Sequence, residues 1–128
     1  MGDRELPCIL VVDDEPLNRD LLHRTLKRDF EVVQAEDATE ALAVLGTRAD
    51  VALVLCDQLM PGRCGTELAR EVRALRPTLP FVLLTGYDDD PEVTAARSGG
   101  WVAAVVPKPW QAPALRGVVA RLLGRGSG

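Results

Sequence analysis

Five short apolar runs separated by longer amphipathic stretches restrict the fold of this chain more than any other feature. The runs are Cys8–Val12, Glu31–Gln34, Val51–Cys56, Phe81–Leu84 and Val102–Val106. Four of them are nearly unbroken Ile, Val and Leu, as in strands covered on both faces of a parallel sheet. The second, Glu31-Val32-Val33-Gln34, is short and polar at both ends, which suits an edge strand.

The intervening segments carry helical periodicity. Leu17, Leu21, Leu22 and Leu26 form one stripe, and Pro16 suits the first helical position. Ala38, Ala41, Leu42 and Leu45 form a second, with Asp37 as cap and Gly46 as stop. Leu68, Val72 and Leu75 form a third, stopped by Pro77. A weaker fourth follows Asp90-Pro91, carries Val93 and Ala96, and closes at Gly99-Gly100. Leu115, Val118, Val119, Leu122 and Leu123 form the fifth.

Five strand–helix pairs predict an α/β three-layer sandwich around a parallel sheet. Right-handed crossovers leave few topologies. The flavodoxin-like (βα)5 arrangement, sheet order 2-1-3-4-5, places the polar second run at an edge and the first run inside. At 128 residues the chain is too short for a closed eightfold barrel. It reads as one domain over residues 1–124, with residues 125–128 as a flexible tail or the start of a linker.

Charge and cysteine content narrow the function. A net charge of −4, with the basic residues scattered, argues against nucleic-acid binding by this domain. No apolar run approaches the length of a membrane span, and the charged N-terminus lacks a secretory h-region, so the expectation is a cytoplasmic protein with no membrane contact. Cys8 opens one apolar run and Cys56 closes another, so both read as small buried hydrophobes, whereas Cys64 reads as an exposed loop thiol. The odd cysteine count and the single histidine argue against a disulfide framework and a structural zinc site.

In open α/β sheets, ligands bind at the carboxyl ends of the strands. Here the first strand is followed by Asp13-Asp14-Glu15, the third by Asp57, the fourth by Thr85-Gly86 and the fifth by Pro107-Lys108-Pro109. In the order 2-1-3-4-5 these four strands are neighbours, and their tips converge. Carboxylates forced together repel, by roughly 4 kcal/mol per pair at about 4 Å and an effective dielectric of about 20. Such a cluster holds either a proton or a hard cation, and an oxygen-only set suits Mg²⁺. With Lys108 and Thr85 added, the metal would stabilise a phosphoryl group in transfer, Asp57 being the nucleophile. Among 15 basic residues only Lys27 and Lys108 are lysines, so lysine at this strand tip stands out in an arginine-preferring chain.

Four segments in register, Val11-Val12-Asp13-Asp14-Glu15, Asp57-x-x-Met60-Pro61-x-x-x-Gly65, Leu84-Thr85-Gly86 and Lys108-Pro109, the last two extended by Tyr87 and Trp110, give a pattern that resembles the receiver domain of two-component response regulators. The likeness runs over roughly residues 7–123. It implies that Asp57 accepts a phosphoryl group from a histidine kinase or a histidine phosphotransfer protein. It implies that Asp14 binds Mg²⁺, or Mn²⁺ in its place, directly, with Asp13 acting largely through water and the Leu59 carbonyl completing the protein ligands. Thr85 and Lys108 would contact the phosphoryl oxygens. The response would pass to an output domain or a homodimer through the helix 4–strand 5–helix 5 face.

The chain departs from that family in two places. Val105 stands where relatives carry the Tyr or Phe of a rotameric switch, and the stretch from Gly100 to Lys108 is one residue longer than usual. Tyr87, Trp101 and Trp110 are aromatic residues that could substitute. Leu59 and Tyr87 occupy the positions flanking the path of attacking water, and their bulk implies slow self-dephosphorylation.

An aspartyl-nucleophile phosphatase needs a second acid two residues after Asp57, where Leu59 stands. A flavin carrier needs a small, hydroxyl-rich phosphate loop, where Asp13-Asp14-Glu15 stand. A scaffold signalling without phosphate would not need the acid, threonine and lysine set. Asp88-Asp89-Asp90 reads as a charged loop with a helix cap, His23 as an exposed helix residue, and Trp101 and Trp110 as packing or a partner face.

Overall fold

The computed structural model describes residues 6–87 and 89–124. Its elements alternate as expected: β1 (Cys8–Val12), α1 (Pro16–Leu26), β2 (Glu31–Ala35), α2 (Ala38–Thr47), β3 (Val51–Asp57), α3 (Gly65–Leu75), β4 (Phe81–Thr85), α4 (Pro91–Gly99), β5 (Ala104–Pro107) and α5 (Ala112–Leu122). The sheet is parallel in the order β2-β1-β3-β4-β5. That is the flavodoxin-like topology.

Strand alternation divides the core in two. Leu10, Val12, Val54, Cys56, Phe81 and Leu83 face α2, α3 and α4, meeting Ala41, Leu45, Leu68, Val72, Val93 and Ala96. Ile9, Val11, Leu53, Leu55, Val82 and Leu84 face the other way, onto Leu22 and Leu26 of α1 and Leu115 and Val119 of α5. Successive residues of one strand therefore serve opposite layers, which is why β1 and β4 are apolar throughout. The edge strands β2 and β5 are only partly covered.

Several sequence expectations shift. Of the α1 stripe only Leu22 and Leu26 are buried; Leu17 is 80% and Leu21 48% exposed, because α1 presents a narrower face to the sheet than its leucines suggest. Leu75, at the last turn of α3, is 62% exposed. Gly46 does not end α2, which runs one residue further to Thr47. The fifth strand begins at Ala104; Val102 is buried but lies in the turn before it. His23 is half-buried rather than exposed.

Local devices fix the connections. The Asp37 carboxylate caps α2 by accepting from the Glu40 N–H (2.8 Å), and Asp90 caps α4 by accepting from Glu92 N–H (2.8 Å). Gly100 ends α4 with φ 85°, a conformation that favours glycine. Arg76, after α3, donates to the carbonyls of Arg48, Ala49 and Val51 and pins the turn that feeds β3. Trp101 and Trp110 are half-buried against the two separate core layers, so both pack. Asp88 and residues 125–128 lie outside the described residues.

Gly65, the first residue of α3, lies against the sheet. A Cβ there would sit 2.6 Å from Leu83 Cδ1 and 2.7 Å from the Asp57 carbonyl oxygen. Gly65→Ala therefore forces helix and strand apart, and should cost about 1–3 kcal/mol. In urea unfolding the midpoint should fall; an unchanged midpoint would contradict this packing.

Candidate functional site

Parallel pairing carries four strand ends to one edge of the sheet. Val12 pairs with Cys56, Asp57 with Leu84, and Thr85 with Pro107. Asp13 and Asp14 follow β1, Asp57 and Thr85 close β3 and β4, and Lys108 follows β5. Carboxylate oxygens of Asp13, Asp14 and Asp57 lie within 4.8 Å of one another. Asp13, Asp57 and Thr85 are buried and Asp14 is half-buried. The structure thus brings together five of the residues singled out in the sequence.

The side chains of Asp13, Asp57, Thr85 and Lys108 are held. Lys108 Nζ contacts Asp57 Oδ1 as an ion pair, and the Lys108 N–H donates to the Thr85 carbonyl (2.9 Å). Thr85 Oγ1 accepts from the Tyr87 N–H (3.0 Å), which orients the hydroxyl. Asp13 Oδ1 accepts from the Glu15 N–H (2.9 Å), and Arg19 Nη1 donates to the Asp13 carbonyl (2.7 Å). The Lys108–Pro109 peptide is cis.

The electrostatics are unbalanced. Burial pushes the Asp13 carboxyl above its ordinary value of 3.8, and the charges of Asp57 and Asp14 add to this. The Glu15 amide and Lys108 oppose it without cancelling it. One lysine therefore faces three carboxylates. This donor set, the carboxylates of Asp13, Asp14 and Asp57, is oxygen-only and short of positive charge, and it fits a hard divalent cation. A second grouping, Cys8, Glu31 and Asp50, lies on the strands' opposite ends. There Arg48 already bonds both acids and holds the Asp50 carboxyl below its usual range, so each acid has a cationic partner.

Val105 is half-buried against the layer of α2, α3 and α4. Leu59 and Tyr87 are 62% and 61% exposed and stand at the site's rim. A cleft of about 440 Å³ opens beside the carboxylates between α1 and the Lys108–Trp110 segment, lined by Asn18, Leu21, Leu22, Pro109 and Trp110 as well as Asp13 and Lys108.

Sequence reasoning did not single out Gln58, Thr66 or Arg19. Gln58 and Thr66 are both buried and bonded to one another next to Asp57. A helix start lacking Ser, Thr, Asp or Asn at its cap position was the available signal. That position is Cys64, half-buried at the start of α3 rather than an exposed loop thiol.

The family model described as the response regulator receiver domain matches residues 9–120. The hydrogenase transcriptional regulatory protein HoxA of Cupriavidus necator is 38% identical over 110 residues, covering 86% of this chain and 22% of that protein. The chain thus spans about a fifth of the length of the HoxA relatives. A chemotaxis protein CheY homolog of Campylobacter jejuni is 33% identical over 124 residues, covering 94% of this chain and 95% of that one. The crystal structure of the receiver domain of NtrX from Brucella abortus superposes with a TM-score of 0.82 at 34% identity, covering 91% of this chain and 98% of that one.

The raised Asp13 carboxyl has a consequence for stability. A folded-state value above the unfolded one favours the native state while the group is protonated, and that contribution is lost as pH rises through the folded value. At pH 7 without metal, the ionised Asp13 therefore destabilises the fold. Asp13→Asn should raise the melting temperature at pH 7, and the gain over wild type should shrink as pH falls below the ordinary value of 3.8. A lower melting temperature at pH 7 would show that the carboxylates are not in conflict.

Proposed function

This chain belongs to the response regulator receiver family, and from that premise we propose that Asp57 is its phosphoacceptor, loaded in a Mg²⁺-dependent reaction by a histidine kinase or a histidine phosphotransfer protein. The observation that carries the reading is the meeting of Asp57 with Lys108 and two further carboxylates at one sheet edge.

In this reading an Asp57 carboxylate oxygen attacks the phosphorus of a phosphohistidine. A P–O bond forms as the P–N bond breaks, and the imidazole leaves and takes up a proton. Lys108 fixes the rotation of the Asp57 carboxylate beforehand and then follows the phosphoryl oxygens as a mobile point charge. The Thr85 hydroxyl, oriented by the Tyr87 amide, donates to a second oxygen. Asp13, Asp14, Asp57 and the Leu59 carbonyl would hold Mg²⁺, or Mn²⁺. The bound ion supplies charge neutralisation for the acids and the incoming phosphoryl group.

The protein is a regulatory phosphoacceptor, and its product is a shifted population of conformations rather than a metabolite. Leu17 and Leu21, exposed on α1, and Pro109 across the cleft give a phosphodonor an apolar landing surface beside Asp57. We assign the output to the α4–β5–α5 face, toward an output domain or a second copy. The receiver unit is taken as residues 1–124, acting in the cytoplasm.

Incubation with acetyl phosphate and Mg²⁺ should add about 80 Da to the intact mass. Asp57→Asn or chelation of the metal should abolish the adduct. No adduct in the wild type would leave a scaffold that signals by contact alone. The exposed, bulky Leu59 and Tyr87 shield the ester from water, so its half-life should be long. Leu59→Asn, which admits and orients water, should shorten it, and an unchanged half-life in a phosphate-release assay would refute the shielding.

A further inference from the structure

Two of the amides that open α3 find their acceptors on Gln58. The first backbone N–H groups of a helix have no partner within it, and the residue at the cap position normally supplies one through a side-chain oxygen. In α3 that residue is Cys64, whose thiol, a weak acceptor, faces the Glu67 N–H in a capping box while Glu67 Oε1 accepts from the Cys64 N–H (2.9 Å). The two amides this box leaves over are met by Gln58: the Gly65 N–H donates to the Gln58 carbonyl (2.9 Å), and the Thr66 N–H to Gln58 Oε1 (2.9 Å). Gln58 Nε2 reaches Thr66 Oγ1 at 3.4 Å, and the Gln58 N–H donates to the Leu84 carbonyl (2.9 Å). Gln58 is 5% exposed, as is Thr66, so water cannot replace these bonds cheaply.

One residue thus clamps β3 to β4 on one side and to the start of α3 on the other. It is also the immediate neighbour of Asp57, and residues 59–64 form the loop closed between its two attachments. We propose that Gln58 is a positioning residue: it caps the Gly65 and Thr66 amides of α3 from the sheet, alongside the Cys64–Glu67 box, and so holds the Asp57–Cys64 loop in the shape that presents the Leu59 carbonyl to a divalent cation. This rests on the reading of Asp13, Asp14, Asp57 and Leu59 as the metal ligands.

The geometry separates the side chain's role from mere bulk. Gln58→Met keeps the volume and removes the acceptor. Gln58→Asn keeps an amide one methylene too short to reach Thr66. Either leaves the Thr66 N–H buried and unpaired, whereas Cys64→Ser supplies an ordinary cap from within the loop. If Gln58 acts by capping, Cys64→Ser should be silent alone and should rescue Gln58→Met, a non-additive pair.

The test is a Mg²⁺ titration followed by tryptophan fluorescence, since Trp110 lines the cleft with Asp13 and Lys108. Thermal melts run alongside, as does adduct formation from acetyl phosphate at low and saturating Mg²⁺. Gln58→Met and Gln58→Asn should each weaken Mg²⁺ binding about tenfold, the scale of one unpaired buried amide. Adduct formation should slow at low Mg²⁺ and recover at saturation. Adding Cys64→Ser should restore most of the affinity. Wild-type Mg²⁺ affinity in both Gln58 variants, or no rescue by Cys64→Ser, would overturn the proposal while leaving the phosphoacceptor reading intact. A wild type that neither binds Mg²⁺ nor gains an adduct would overturn both.

Discussion

Three carboxylates share a space in which their oxygens stand within 4.8 Å, and a single lysine faces them. Like charges at this separation repel strongly once they are shielded from water. The fold must therefore hold them there against their own electrostatics, and it does so with backbone. Asp13 and Asp57 extend β1 and β3, where the ladder fixes each Cα, and Lys108 is tied to Thr85 through the main chain. Burial first, and the charges of Asp57 and Asp14 after it, hold the Asp13 carboxyl above its ordinary value. Added positive charge would relieve that repulsion.

The start of α3 is fastened directly to the strand that ends in Asp57. Gly65 lets α3 touch β4 and the Asp57 carbonyl, and Gln58 bonds the same helix start. On the other layer, α1 commits only Leu22 and Leu26 to the core and leaves Leu17 and Leu21 outside.

The sequence was most readable where one period governed. Unbroken apolar runs gave the strands, and the polar ends of Glu31–Gln34 gave an edge, because a parallel sheet buries interior strands on both faces. It was least readable where apolar residues had two uses. Leu17 and Leu21 fit a helical stripe as well as Leu22 and Leu26 do, and periodicity cannot tell a core leucine from one displayed beside a cleft. Gly46 looked like a stop signal, but α2 tolerates it one residue before its end.

The strand order and the residue types at the strand tips were enough to gather Asp13, Asp14, Asp57, Thr85 and Lys108, because parallel strands with right-handed crossovers leave their carboxyl ends on one edge. Tertiary structure alone decided what fastens that edge. Gln58 reads in the sequence as one more polar residue after a strand, and Cys64 as one more loop thiol. Their joint meaning depends on α3 folding back to bring Thr66 within 2.9 Å of Gln58 Oε1, a contact between residues eight apart that no local period encodes.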